Sequence, residues 1–322
     1  MQIGWTLRYP YAIAGFSHVV ITTAHTPVLG GFFAALGWHS LTVDLMSEAL
    51  AFWGVEPSET PAMRWIPPSN ACEVLLLPMP QEVPVLRPVD CAVTTPGGLF
   101  DINMRTVDSD WSHDFLQCHG WQPLVDPVAW QFGDIETKEG LYIQEDGIVL
   151  AVMERLQPPL PTVAFDRMSD VFNATQMVRN VDQTVAFLKH LNFERFIQHQ
   201  GPLPGAGPKV LQLERCPADT GDIELAILHP AACMEGSLEL VEVLHHPIER
   251  LMVPPGGGRG LRSLCLQVDD IEVCYEGLLA SQWSDQIIHP LALRSLPGVL
   301  STLSFAIAAP DGGRLDVYQP TL

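Results

Sequence analysis

The chain has little positive charge. Seventeen Lys and Arg stand against 37 Asp and Glu, a formal net charge of −20 over 322 residues. A basic face is scarce in such a chain, so binding to nucleic acid or to an anionic membrane is not expected. No run of 18 apolar residues is present, so no transmembrane helix is expected. The opening stretch MQIGWTLRYPYAIAGF lacks a basic segment with a long apolar run behind it, which argues against a signal peptide and for a cytoplasmic protein. There is no Cys-x-x-Cys pair. The seven cysteines (Cys72, Cys91, Cys118, Cys216, Cys233, Cys265 and Cys274) are odd in number and scattered. They read as reduced, mostly buried thiols, and no basic neighbours mark one as reactive. The glycine-rich PPGGGRG at Pro254–Gly260 lacks the Lys and Ser/Thr of a phosphate-binding loop and reads as a linker.

One phrase recurs. It reads FSHVVITT…FFAALGW at Phe16–Trp38, FDINMRTV…FLQCHGW at Phe100–Trp121 and FNATQMVR…FLKHLNF at Phe172–Phe193, with a weaker fourth copy from Ser263. Counted from His18, Asp101 and Asn173, a Phe follows at 14 positions, a turn residue at 19 (Gly37, Gly120, Asn192) and an aromatic at 20. An internal repeat of this length defines the architecture. Each copy opens with a strand-like apolar run and continues at helical spacing, as in Val185, Leu188 and Leu191 with Asn180 or Asp182 as N-cap. A turn residue then reverses the chain. Short strands broken by Pro and Gly follow, among them Cys72–Leu77, Ile148–Met153, Leu238–Leu244 and Leu315–Gln319. The unit is strand, helix, three strands, and four units fill the chain. The prolines of Gln157–Thr162 suit a stiff linker near the midpoint.

Four βαβββ units in register resemble the vicinal oxygen chelate superfamily, which includes glyoxalase I, extradiol dioxygenases and bleomycin resistance proteins. The phrases carrying the resemblance are those above together with LELVEVL at Leu238–Leu244, LQVDDIE and APDGGRLDVYQ. It implies an α+β chain whose modules pair into two cupped sheets. The division expected is 1–157 (modules about 13–82 and 96–156) and 163–322 (modules about 168–246 and 259–320). It also implies a divalent metal in a cup, held by residues of the first and last strands. Carried over, the first-cup positions are His18, Asp101, Glu73 and Ala151. Those of the second are Asn173, Ser263, Glu239 and Asp316. The dioxygenase triad of two His and one carboxylate is not met by Asn173, Ser263 and Asp316. If a metal is bound, His18, Glu73 and Asp101 are its candidate ligands, and no other cofactor is implied.

The expected function is therefore an enzyme moving protons on a small apolar or aromatic molecule, of lyase or isomerase type. Its acid and base would be His18 with Asp101, or Glu239 with Asp316. Glu73, Asn173 and Ser263 would line the pocket. Two alternatives stay open: a small-molecule binding or resistance protein without chemistry, and a divalent-metal dioxygenase or glyoxalase-type enzyme using the first cup. Seven of the eight tryptophans precede residue 157 and could line an apolar cup, although Trp38 and Trp121 hold the repeat's packing position. The loop His199–Pro208 is a candidate lid. A monomer or a homodimer suits the four-unit layout.

Overall fold

The computed structural model describes residues 11, 13–45, 47–69, 71–160, 165–215, 221–244, 249–252, 257–296 and 299–320. Trp5, Cys216 and parts of the linkers at 157–162 and 254–260 lie outside the described residues. The first unit is β1 (Ile13–Thr23), α1 (Thr26–Ala35), β2 (His39–Val43), α2 (Ser47–Trp53), β3 (Ala62–Ile66) and β4 (Glu73–Pro78). The second is β5 (Asp101–Thr106), α3 (Ser109–Cys118), β6 (Gln122–Phe132), β7 (Ile135–Ile143) and β8 (Val149–Gln157). The third is β9 (Met168–Met177), α4 (Val181–Leu188), β10 (Glu194–Pro202), α5 (Gly207–Val210), β11 (Asp222–His229) and β12 (Ser237–Val243). The fourth is β13 (Gly260–Val268), α6 (Ile271–Leu279), β14 (Ile287–Leu296), β15 (Val299–Ala308) and β16 (Arg314–Pro320).

The repeat's polar and turn residues do what their chemistry suggests. Asp108, Asn180 and Asp270 cap α3, α4 and α6, their side chains accepting from backbone N–H groups of the first turn. Gly37, Gly120 and Asn192 sit at φ of 77°, 80° and 58° where the chain leaves the helix. His18, Asp101, Asn173 and Ser263 each stand eight residues before the first helical residue, at Thr26, Ser109, Val181 and Ile271. The four positions are thus equivalent in space as well as in sequence.

The strands form two eight-stranded sheets. One runs β14-β15-β16-β13-β1-β4-β3-β2, the other β10-β11-β12-β9-β5-β8-β7-β6. Unit one therefore shares a sheet with unit four, and unit two with unit three. This corrects the expected pairing of one with two and three with four. The connection lengths supply the physical reason. Units two and three are joined by residues 158–167, while residues 79–100 and 244–259 join the other pairs. The shortest connection links the units that share a sheet, and the two longer ones cross between sheets. The main core lies between the sheets and is built by the helices and the sheet faces they cover, with Phe32, Phe33, Trp121, Phe187, Phe193 and Phe305 at its centre. The opposite face of each sheet is concave and carries its own smaller apolar cluster.

Candidate active site in the cup of units two and three

The two concave faces have different contents. In the sheet of units one and four, α2 enters the cup. Its Ala49, Phe52 and Trp53 pack against Val20, Leu75, Leu77, Ala306 and Tyr318. Trp53 Nε1 donates to Asp316 Oδ2 at 2.8 Å, Arg314 Nε pairs with Asp316 Oδ1 at 2.7 Å, and the Ser263 hydroxyl also donates to Asp316. Asp316 is fully buried and fully partnered. At the far side of the cup, His18 Nε2 lies 3.4 Å from Glu73, and Arg64 grips the same carboxylate with two nitrogens. Burial would raise the Glu73 pKa, but hydrogen bonds from His18 and Arg64 outweigh it and hold the carboxylate at about 2. Ser17 bridges His18 Nδ1 (2.8 Å) and the Tyr318 hydroxyl (3.0 Å).

In the sheet of units two and three the cup is open. A cavity of about 160 Å³ is lined by Phe100, Trp130, Phe132, Leu141, Phe172 and Ile227, among others. Three carboxyls face it: Asp101, Glu139 and Glu239. Asp101 and Glu239 come from the central strands. Asp101 on β5 is the partner of Thr175 on β9, which is in turn the partner of Glu239 on β12, so the three side chains form one row across the sheet. Glu139 comes from β7, where alternation points Thr137, Glu139 and Leu141 into the cup.

The environment separates these carboxyls. Asp101 Oδ1 accepts from Asn103 Nδ2 at 3.0 Å and from the Thr175 N–H at 3.2 Å. Burial raises its pKa and these bonds, with Arg87 nearby, hold the rise to about 6. Among the described residues Glu139 accepts only from Trp130 Nε1, at 3.0 Å, and burial takes it to about 7. Glu239 has no hydrogen-bond or ion-pair partner among the described residues. Burial first, and then repulsion from Glu139 and Asp101, raises it to about 8. Near neutral pH the trio therefore holds both a carboxylate and a carboxylic acid, in an apolar chamber. Arg155 also lines the cavity and has no salt bridge among the described residues.

Several expected pairings are overturned. His18 and Asp101 stand on different sheets, so they form no acid–base pair; the partner of His18 is Glu73. Glu239 and Asp316 are likewise on different sheets, and Asp316 is locked in its bonds with Arg314, Trp53 and Ser263. Strand register also shifts the carried-over last-strand positions. The neighbours of His18, Asp101 and Asn173 on the last strands are Glu73, Val149 and Ser237, and the β13–β16 ladder, which pairs Leu264 with Leu315, sets Arg314 at the position corresponding to Ser263. Ala151, Glu239 and Asp316 lie two residues further on, on the same face. Asn173 lines the cavity, its amide nitrogen bonded to the Ser237 hydroxyl at 2.6 Å and its carbonyl oxygen accepting from Asn103. The candidate lid is the end of β10 followed by α5, and Leu203, Gly207 and Val210 from it close one side of the cavity. Glu139, Arg155, Arg64 and Tyr318 are absent from the sequence-derived set. For Glu139 a signal exists: it is the one charged residue in the inward-facing series Ile135, Thr137, Glu139, Leu141 and Ile143 of β7.

These geometries bear on a metal. The ligand positions of one cup hold His18, Glu73, Ser263 and Arg314, with Arg64 already neutralising Glu73. Those of the other hold Asp101, Val149, Asn173 and Ser237. The first cup keeps one imidazole–carboxylate pair, His18 and Glu73, but Arg64 already holds that carboxylate and the other two positions are a hydroxyl and a guanidinium; the second cup has a valine at one position and no imidazole, so neither offers a complete set. Among the described residues no group of three His, Cys, Asp or Glu is placed to hold a metal ion. The residues present do not fit the superfamily's metal.

Comparison with solved structures agrees with the topology. Glyoxalase I from Zea mays superposes with a TM-score of 0.64 at 13% identity, over 96% of this chain and 93% of that one. A putative dioxygenase from Bacillus subtilis gives 0.58 at 12% identity, over 96% and 86%. The chain has the vicinal oxygen chelate fold. At these identities the likeness is one of fold alone. No protein-family model and no curated protein sequence matches the chain. The vicinal oxygen chelate layout nonetheless explains why chemistry-bearing side chains collect on the concave faces: the first and last strands of paired units are neighbours at the cup floor. No helix among the described residues is long and apolar enough to cross a membrane.

Proposed function

We propose that this protein is an enzyme that transfers protons on a small apolar or aromatic molecule, of lyase or isomerase type, in the cup of units two and three. The observation that carries the reading is the row of Asp101 and Glu239 across the floor of an apolar cavity, with Glu139 on its wall. A cavity of about 160 Å³ suits a single aromatic ring, since an engineered void of roughly 150 Å³ takes up benzene. Asp101, the carboxyl held lowest, is the base. Glu239, the one held highest, is the acid that protonates oxygen as charge develops there. Arg155 offers a positive group to the same developing charge. Removing a proton beside a carbonyl and returning one elsewhere needs only this pair.

The test is solvent-deuterium incorporation at carbon. Small aromatic ketones and keto acids incubated in D2O should exchange the hydrogen next to the carbonyl, read by NMR. Glu239→Gln and Asp101→Asn should each slow exchange by about 10²–10⁴-fold. Full exchange in both variants would overturn the assignment. A second reading, a sequestering protein, draws on the same apolar chamber; it is favoured if such compounds bind and are returned with no exchange at all.

A further inference from the structure

A second cavity carries the opposite charge. It has a volume of about 450 Å³ and lies where the connection between units one and two passes over the ends of β13 and β16. Leu86 and Arg87 come from that connection, which is bonded to the fourth unit through Leu86 N–H to Arg259 O (2.7 Å) and Arg259 N–H to Pro84 O (2.9 Å). Arg262, Arg314 and His289 come from the fourth unit itself. Three guanidiniums thus line one pocket in a chain with only seventeen Lys and Arg. All three are buried, at 4% exposure for Arg87, 9% for Arg262 and 4% for Arg314.

Their charges are poorly answered. Arg314 pairs with Asp316, but no salt bridge reaches Arg87 or Arg262 among the described residues. Neutral groups answer them instead: Arg262 Nε donates to the Trp53 carbonyl, Arg314 Nη2 to the Phe52 carbonyl, and the two terminal nitrogens of Arg87 to Cys91 Sγ and the carbonyls of Ala92, Thr95 and Gly97. Two buried donors, Arg87 Nε and Arg314 Nη1, have no partner among the described residues. Burying a guanidinium is costly without a counter-charge, and leaving its N–H unmatched adds to that cost. The neighbouring imidazole feels the excess: burial, then Arg314 and Arg294, push His289 down to about 4. The pocket's glycines are not the donors. Gly97, Gly98, Gly147 and Gly312 have positive φ, and each backbone N–H is already bonded to a carbonyl within the protein. Recognition here falls to the arginines, whose planar forks match the oxygens of phosphate and carboxylate groups.

We infer that this pocket is a binding site for a phosphate-type oxyanion, held by Arg87, Arg262 and Arg314. Its volume falls within the range of small-molecule sites, roughly 300–1,000 Å³, so it has room for the organic part of a phosphate monoester. The site shares no lining residue with the carboxyl cavity, although Arg87 is near enough to Asp101 to lower its pKa, and its existence does not depend on the chemistry proposed there.

Isothermal titration with inorganic phosphate, at ionic strength matched with sodium chloride, tests it on the full-length protein. Saturable one-to-one binding is expected, weakened at least tenfold in Arg262→Gln. Phenyl phosphate is the second probe. Tighter binding than inorganic phosphate identifies an ester as the ligand; equal or weaker binding identifies the free anion. Arg87→Lys, which keeps the charge but loses the fork, should also weaken binding, and stands in if Arg262→Gln does not fold. Absence of saturable binding in the wild-type protein overturns the site, as does unchanged phosphate affinity in whichever variant folds.

Discussion

The two cups are built from the same unit and have been put to opposite use. In the sheet of units one and four, a helix fills the concave face, and both of its buried carboxylates are tied down, Asp316 by Arg314, Trp53 and Ser263 and Glu73 by Arg64 and His18. In the sheet of units two and three the face stays open, and its carboxyls are left with few bonds or none. One arrangement satisfies its charge and the other withholds partners. Partner-poor carboxyls cost stability, and this is the usual condition of a site kept ready for chemistry. What decides between the two fates is not the fold but small local insertions. The seven residues of α2 between β2 and β3 bring Phe52 and Trp53 into one cup. The short α5 after β10 only walls the other.

Breaking the filled cup should have the largest effect. Trp53 is 1% exposed and supplies both packing and a hydrogen bond to Asp316. Trp53→Ala should destabilise the protein by about 3–5 kcal/mol, from the lost transfer energy and the void left behind, as measured by urea denaturation. A loss below about 1 kcal/mol would show that α2 is not an integral plug. The open cup should respond with the opposite sign. Glu239→Leu removes from the apolar cup floor a carboxyl that has no partner among the described residues, so it should be neutral or stabilising by about 1–3 kcal/mol at pH 8, while abolishing the exchange reaction. A loss of stability at pH 8 would mean that Glu239 is structurally bonded and contradict the comparison.

Much of this was legible in the sequence, for reasons that can be named. His18, Asp101, Asn173 and Ser263 stand in equivalent places because a strand, a cap and a helix of fixed length leave little freedom between them. The last strands were harder. Ala151, Glu239 and Asp316 lie two residues past the register position, because period-2 alternation gives the face and not the row. Which units share a sheet is not encoded in the repeat at all, since every unit presents the same edge; only the short 158–167 connection hints at it. Pairing His18 with Asp101 failed for that reason. Glu139 was missed because β7 lies outside the repeated phrase, and Arg87 because it sits in a connection whose partners come from the far end of the chain.

The smallest and most diagnostic effect is on the pH dependence of stability, where the cups pull in opposite directions. Glu73 titrates lower in the folded protein than when unfolded, about 2 against 4.5. The folded state binds fewer protons there, so this stabilisation is complete above about pH 4.5 and is lost as pH falls toward 2. Asp101, Glu139 and Glu239 titrate higher when folded, at about 6, 7 and 8 against ordinary values of 3.8, 4.5 and 4.5. For them the folded state binds more protons, so stability falls as pH rises from about 4 to 8, by up to about 1.4 kcal/mol per pH unit for each group inside its window. The expected profile has a maximum near pH 4–5 and a decline through neutrality. In Glu239→Gln the decline between pH 5 and 8 should become shallower while the acid limb stays in place. In Arg64→Met the acid limb should flatten and the neutral decline remain. Equilibrium unfolding across pH 3–9 reads both slopes, and the partition between cups fails if either variant changes the other's limb.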